Sequence, residues 1–281
     1  MKRLPDYKFY PSLLDAFQRY IDLDVENYFF LDEQGKWHKN LNDQTGELFL
    51  SESEVEQLAK KELLAMINRE GGAISEAADK GTAFNEIVDC IIMNKPCKRD
   101  DIQIQSQDFY EKDGDIIESP CIRADIDGFT FYFEKKFCKD AANYFRGSLC
   151  QQRTEGYLDT KYGDVLLYGY IDYLREDKVY DAKTTKRYEF GKFQKSWQKH
   201  VYPYTLIESG KCTDISTFEY SVFLLNGGTD YKPIIGGTLY PEVYVYNHDE
   251  SKKMLKGICE HLIEFLNENK DKITDTKIFG K

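Results

Sequence analysis

Apolar residues recur at three- and four-residue intervals in some stretches of the chain and at every second position in others, and the change of period marks out the elements. A short helix is expected at SLLDAFQRYI (12–21). A clearer one is expected at SESEVEQLAKKELLAMINRE (51–70), where Ser51 or Ser53 can cap the start and Glu54 or Glu56 suits its positive end. After the Gly71-Gly72 break, Ile74, Ala77, Ala78, Phe84, Ile87, Val88, Ile91 and Ile92 keep helical spacing, so a helix should end near Asn94, before Pro96. From about residue 100 the pattern turns β-rich, at FTFYFEKKF (129–137), QQRTEGYLDTKY (151–162), DVLLYGYIDYLR (164–175) and KVYDAKTT (178–185). A long helix is expected over YEFGKFQKSWQKHVYPYTLIESG (188–210). Strands follow at STFEYSVFLL (216–225) and EVYVYN (242–247), and a helix at DESKKMLKGICEHLIEFLNENK (249–270) closes the chain. This order predicts an α/β (α+β) protein with a mixed central sheet flanked by helices.

Composition narrows the class. With 281 residues, 41% of them hydrophobic, including 21 Tyr and 18 Phe, the chain can bury one large core, and overall disorder is excluded. No stretch approaches the ~20 apolar residues of a membrane helix, and the start MKRLPDYKFYPSLLD lacks the apolar block of a signal peptide, so a cytoplasmic protein without membrane contact is expected. The seven cysteines are scattered, odd in number and never form C-x-x-C, which argues against a zinc site or a disulfide framework and for ordinary thiols in a reducing compartment. A net charge of -11 means that any contact with nucleic acid must rest on a local basic patch.

The stretch VYDAKTTK breaks its own hydrophobic pattern, because Val179, Asp181 and Lys183 share one face of the strand. Glu176 and Asp177 make a tight hairpin the simplest link to the preceding strand. If Arg175 opposes Lys178, Asp172 lies opposite Asp181 and Tyr170 opposite Lys183, so two carboxylates and an ammonium converge. A hard divalent cation relieves such a carboxylate pair, and an ammonium beside it can orient an attacking water, which is an arrangement for phosphodiester hydrolysis. Taken alone, a D-x-K triplet in a chain with 31% charged residues is an ordinary solvated strand face.

Two further patterns shift that reading. Gln198 and Tyr202 fall four apart beside an apolar stripe of Phe190, Phe193, Trp197, Val201 and Tyr204, with Pro203 ending or kinking the helix just past Tyr202. Gly81, Asn85 and Asp89 share a helix face on which glycine would let the backbone approach the sheet. GTAFN (81–85), GYID (169–172), DAKT (181–184) and QKHVY (198–202) follow one another along the chain. In order, spacing and context they resemble the motifs of the PD-(D/E)XK nuclease superfamily, in its RecB-like and phage-exonuclease branch.

The resemblance covers roughly residues 74 to 270 and implies a restriction-endonuclease-like core over 73–281, with residues 1–72 as a partly helical N-terminal extension packed on it. It implies a Mg²⁺- or Mn²⁺-dependent deoxyribonuclease acting on DNA, as linear duplex or single-stranded ends, with a single-strand annealing protein as a partner such enzymes use and oligomers known among relatives. Asp172, Asp181 and the Ala182 carbonyl would bind the metal, Lys183 would serve the attacking water, and Gln198 and Tyr202 would contact DNA. Asn85 stands where many members have a metal-binding histidine, so the further ligand is left among Asn85, Glu86 and Asp89. Only Cys212 and Cys259 follow residue 200, so the iron–sulfur cluster of some relatives is not expected. Lys186, Arg187, Lys192, Lys195 and Lys199, with one acid (Glu189) among them, form a basic strip suited to a phosphate backbone, which Lys135, Lys136, Lys139 and Arg146 would extend. The competing class is a nuclease-like fold retained for binding DNA or a protein without catalysis.

Overall fold

The computed structural model describes residues 4–32, 34–71, 75–112 and 115–280. In chain order these form β1 (Tyr7–Phe9), α1 (Pro11–Ile21), β2 (Phe29–Leu31), β3 (Trp37–Lys39), α2 (Glu52–Ile67) and α3 (Glu76–Met93). Then come β4 (Ile102–Lys112), β5 (Asp115–Ile126), β6 (Phe129–Glu134), α4 (Lys135–Tyr144), β7 (Leu149–Thr160), β8 (Gly163–Arg175) and β9 (Lys178–Thr185). The chain continues with α5 (Gln198–Glu208), β10 (Thr217–Asn226), β11 (Ile234–Val245) and α6 (His248–Glu268). Nine strands make one mixed sheet in the order β1-β8-β9-β10-β11-β6-β5-β4, with β7 on the other edge of β8. No helix among the described residues is long and apolar enough to cross a membrane.

The sheet carries two cores. Val165, Leu167 and Ile171 of β8, Val179 of β9 and Phe218, Tyr220 and Val222 of β10 pack with α1, α5 and α6. Tyr173, Tyr180, Ala182, Phe223 and Leu225 of the same strands pack with α3, α4 and β5–β6. Odd-numbered residues of β8 therefore join one core through Ile171 and the other at Tyr173, so the strand changes sides at Asp172. The N-terminal segment is part of this architecture: β1 adds to β8 in parallel, and Leu13, Leu14 and Phe17 of α1 enter the first core. The expected boundary at residues 72–73, Gly72 of the Gly71-Gly72 break and Ile74 of the apolar face lie outside the described residues.

Local signals account for several helix ends. Ser51 and Glu54 form a reciprocal capping box on α2, and Asn94 closes α3 in the left-handed conformation (φ 50°). Four expectations need correction. Ala77 and Ala78 are exposed, and the buried face of α3 runs through Ala83, Phe84, Ile87 and Val88. The β-pattern at 129–137 stops at Glu134, where α4 begins and buries Phe137 and Cys138. Strands β4 and β5 lie outside the stretches expected as strands, although Ile102 and Ile104, and Ile122, Ala124 and Ile126, alternate in them. The helix expected over 188–210 is only α5; Gly191 adopts φ +82° in the turns before it, so Phe190 swings out to 79% exposure instead of packing on the sheet. Pro203 does not end α5, which runs on to Glu208 with the proline buried.

Candidate active site

The β8–β9 hairpin has the expected register, Arg175 opposite Lys178, but its ladder ends at Tyr173 opposite Tyr180. Strand β8 divides its second edge between two partners, β1 at Val165–Leu167 and β9 at Tyr173–Arg175. Residues 168–172 lie in the gap between. Tyr170 thus does not pair with Lys183 and is exposed. In place of a ladder bond, the Ala182 N–H donates to Asp172 Oδ2 at 2.8 Å. An extended residue presents N–H and C=O toward the same side, so the Ala182 carbonyl faces this gap too.

Asp181 and Lys183 lie beside Asp172, with Lys183 Nζ 2.5 Å from Asp181 Oδ2. Gln198, the first residue of α5, donates from Nε2 to Asp181 Oδ1 at 2.7 Å. From α3, Asp89 accepts a hydrogen bond from Gln151 Nε2 at 3.0 Å, and the same amide reaches Asp172 Oδ1 at 3.4 Å. Gln151 takes a left-handed backbone (φ 49°) where β7 breaks its ladder between Cys150 and Gln152. It bears no motif signature, and sequence reading misses it. The Tyr173 hydroxyl also lies against Asp89, and the Asn85 Oδ1 is buried without a hydrogen-bond partner.

The charges are unbalanced. Burial lifts Asp172 and Asp181 above the ordinary carboxylate range, with the Asp181 charge adding to the effect on Asp172. Burial also pushes Asp89 up to about 6. Burial works against the Lys183 ammonium, but Asp181, Asp172 and Asp15 outweigh it and hold the group above its usual pKa. In the metal-free protein Lys183 is therefore held as a cation.

Close backbone approaches set the frame. A Cβ on Gly81 would lie 2.6 Å from Thr184 Oγ1, so glycine lets α3 rest on β9 and carries Asp89 to the gap. A Cβ on Gly169 would lie 2.6 Å from the Tyr202 ring. Tyr202, expected at the DNA, is instead buried against β8, and its hydroxyl accepts from Gln198 Nε2 at 3.3 Å. It steadies Gln198 instead of offering a surface. A second residue that sequence reading misses is Asp15 of α1, whose carboxylate accepts from the Trp197 N–H at 2.7 Å and Ser196 Oγ at 3.0 Å and so caps α5.

A cleft of about 780 Å³ opens beside Lys183 and Gln198, walled by α1, Tyr28, Phe29 and the turn carrying Lys192, Phe193 and Lys195. Lys192 bonds Thr185 Oγ1 at 3.0 Å, Lys195 lies 3.6 Å from Asp22, and Lys186 and Arg187 are exposed. Lys199 donates to the Gln194 carbonyl, and its ammonium lies 4.9 Å from the Tyr244 ring centroid. Of the strip expected on one helix, Lys192 and Lys195 thus lie in a turn at the cleft, and Lys199 lies on α5. Lys135 and Lys136 pair with Asp108 and Asp140. Glu86 turns away from Asp172, toward Cys97 Sγ at 3.3 Å.

No family model matches the chain, and no curated protein matches it. Among solved structures, a crystal structure of Scheffersomyces stipitis Rai1 in complex with (3'-NADP)+ and calcium ion aligns at 15% identity with a TM-score of 0.26. The alignment covers 98% of this chain and 64% of that one. A likeness this weak carries no inference about fold or chemistry.

Proposed function

We propose that this chain is a metal-dependent DNA nuclease with a PD-(D/E)XK-type core, hydrolysing phosphodiester bonds at DNA ends in the manner of phage and mobile-element exonucleases. The observation that carries the reading is the convergence of Asp172, Asp181, Asp89 and Lys183 where β8 parts from β9. Mg²⁺ or Mn²⁺ fits the donors: they are oxygens throughout, and a buried one, on Asn85, has no hydrogen-bond partner. Asp172, Asp181 and the Ala182 carbonyl would hold the ion, with Asp89 or Asn85 completing the set. The ion would supply charge neutralisation and Lewis-acid polarisation of the phosphate.

The residues themselves divide the remaining work. Lys183, held protonated, donates hydrogen bonds to a water or a non-bridging phosphate oxygen and stabilises charge developing there. Gln198 fixes Asp181, and Tyr202 fixes Gln198. The cleft offers aromatic walls and lysines to the nucleotides next to the reacting phosphate. End-labelled linear duplex, single strands and closed circles, each incubated with Mn²⁺, test the proposal. Degradation of linear substrates with circles spared is expected, and it should be absent in Lys183→Ala. Metal-dependent nicking of circles would make the enzyme an endonuclease; no hydrolysis of any substrate, or wild-type turnover by Lys183→Ala, would overturn the reading.

A further inference from the structure

Next to Asp89 on α3, the described residues contain a cluster that the proposed hydrolysis does not use. Glu86 and Cys90 lie one helical turn apart. The left-handed Asn94 ends the helix, the Lys95 N–H returns to the Cys90 carbonyl at 3.1 Å, and Pro96 directs the chain back over α3. Cys97 is thereby delivered to Glu86, and a ligand atom from each of Glu86, Cys90 and Cys97 lies within 4.8 Å of the other two. The three side chains are half-buried, open enough for an ion to enter.

We propose that Glu86, Cys90 and Cys97 form a second metal site, selective for a thiophilic ion such as Zn²⁺, with a fourth position left to water. A tetrahedral Zn²⁺ with Zn–S of about 2.3 Å and Zn–O of about 2.1 Å needs ligand atoms about 3.3 to 3.8 Å apart, a small contraction from the arrangement present. Two sulfurs make the site poor for Mg²⁺, just as the oxygen donors at Asp172 and Asp181 make that site poor for discrimination by softness. Binding releases the two thiol protons to solvent and involves no electron transfer. Two thiolates and a carboxylate around a dication leave one negative charge; the Arg99 guanidinium acts on Glu86 and Cys97, but Asp101 already holds it by two hydrogen bonds. The C-x₆-C spacing has no zinc signature in sequence. The turn at Asn94 creates the site, and the ion would pin that turn to the helix that carries Asp89.

The test is titration of the reduced, metal-free protein with Cd²⁺ and Zn²⁺, with Mg²⁺ in excess to occupy the carboxylates. Wild type should bind one Cd²⁺ with a thiolate-to-metal charge-transfer band, release two protons, and gain thermal stability with Zn²⁺. Cys90→Ser/Cys97→Ser should lose the band and the shift, and Glu86→Gln should bind about tenfold more weakly or worse. Asp181→Asn should titrate like wild type in this channel. If the double variant does not fold, Cys97→Ser alone, outside the helix, carries the comparison. Equal Cd²⁺ binding by wild type and the serine variants, no charge-transfer band, or loss of thiol titre to a Cys90–Cys97 disulfide under reducing conditions would each overturn the proposal.

Discussion

Glu219 and Asp181 sit on neighbouring strands, are 1% and 2% exposed, and each meets one lysine, yet only one of them is electrically complete. Glu219 Oε1 accepts from the Tyr144 hydroxyl at 2.7 Å and from Ser221 at 2.6 Å, and its Oε2 pairs with Lys178 at 2.7 Å. One anion meets one cation and two hydroxyl donors. Around Asp181, the single Lys183 ammonium also faces Asp172 and Asp15, with Asp89 behind the Gln151 amide. Burial of charge is therefore common to both places, and only the second has carboxylates in excess. Uncompensated buried charge is costly, so the excess is a better mark of a site awaiting a cation than burial by itself.

Removing the lysine from each place should give opposite results, and this is the largest effect expected. Lys183→Ala should lower turnover on labelled linear duplex by a factor on the order of 10³ or more, with a native-like thermal transition once saturating Mn²⁺ stands in for the lost cation; without metal the variant strands Asp181 and should melt lower. Lys178→Met should leave turnover within a fewfold of wild type but destabilise the protein by about 2–3 kcal/mol in urea unfolding, because it strands the Glu219 carboxylate. If Lys178→Met were the dead variant and Lys183→Ala the unstable one at saturating Mn²⁺, the comparison would be inverted and the site misplaced.

The carboxylates extend the contrast at a smaller scale. Asp172→Asn removes one of several crowded anions, so the metal-free protein should become more stable by about 1 kcal/mol while Mn²⁺ affinity falls about tenfold or more. Glu219→Gln should do neither, losing stability and leaving Mn²⁺ affinity alone. Calorimetry with and without Mn²⁺ reads both quantities, and weaker metal binding in the Glu219 variant would count against the assignment.

A pH series sharpens the same point. Burial raises Asp172 and Asp181, and lifts Asp89 to about 6, so the folded state holds these protons more tightly than the unfolded chain. Their contribution to stability is thus present below the ordinary carboxylate pKa and is lost as pH rises through the folded values. Protons and cation compete for the same oxygens. Apparent Mn²⁺ affinity should therefore climb as pH rises through about 6, and the gap between metal-loaded and metal-free melting temperatures should widen with it. Affinity that is flat between about pH 5 and pH 8 would mean that these carboxylates are ionised throughout and not perturbed as described.

The hairpin register was readable because Glu176 and Asp177 allow one short turn, and the expected pairing holds from Arg175–Lys178 to Tyr173–Tyr180; Asp172 and Asp181, expected as the next pair, lie beyond the ladder. Where the ladder stops was not readable, because it depends on β1, a three-residue strand with no periodicity of its own, occupying the same edge of β8. The glycine of GTAFN was correctly read as a close approach, since helix spacing placed it on the sheet side with Asn85 and Asp89. Four-residue spacing from Gln198 beside the apolar stripe put Tyr202 at the border of the buried side, where it lies, but gave no sign that its ring closes on a second glycine, Gly169, instead of reaching toward a nucleotide. Asp15 acts across 182 residues of chain, and no local pattern announces a cap supplied from that far away.

The smallest expected effect separates geometry from charge at the gap itself. Gln151 adds no charge, but its amide ties Asp89 to Asp172, and its backbone is held at a positive φ that β-strand residues other than glycine rarely adopt. Gln151→Gly relieves that conformation, worth about 1 kcal/mol, and gives back somewhat less through the looser unfolded chain, so a net gain of a few tenths of a kcal/mol is expected. Gln151→Asn tolerates the same backbone without the entropic loss and should be the more stable of the two. Neither amide deletion nor shortening keeps both carboxylates bridged, so both variants should turn over several-fold more slowly at saturating Mn²⁺, with the glycine variant the slower. A glycine variant that loses stability would show that the positive φ carries no strain. One that gains stability and keeps wild-type turnover would show that excess charge at Asp172 and Asp89 is enough to assemble the site, and that the Gln151 bridge only fills the gap until a cation arrives.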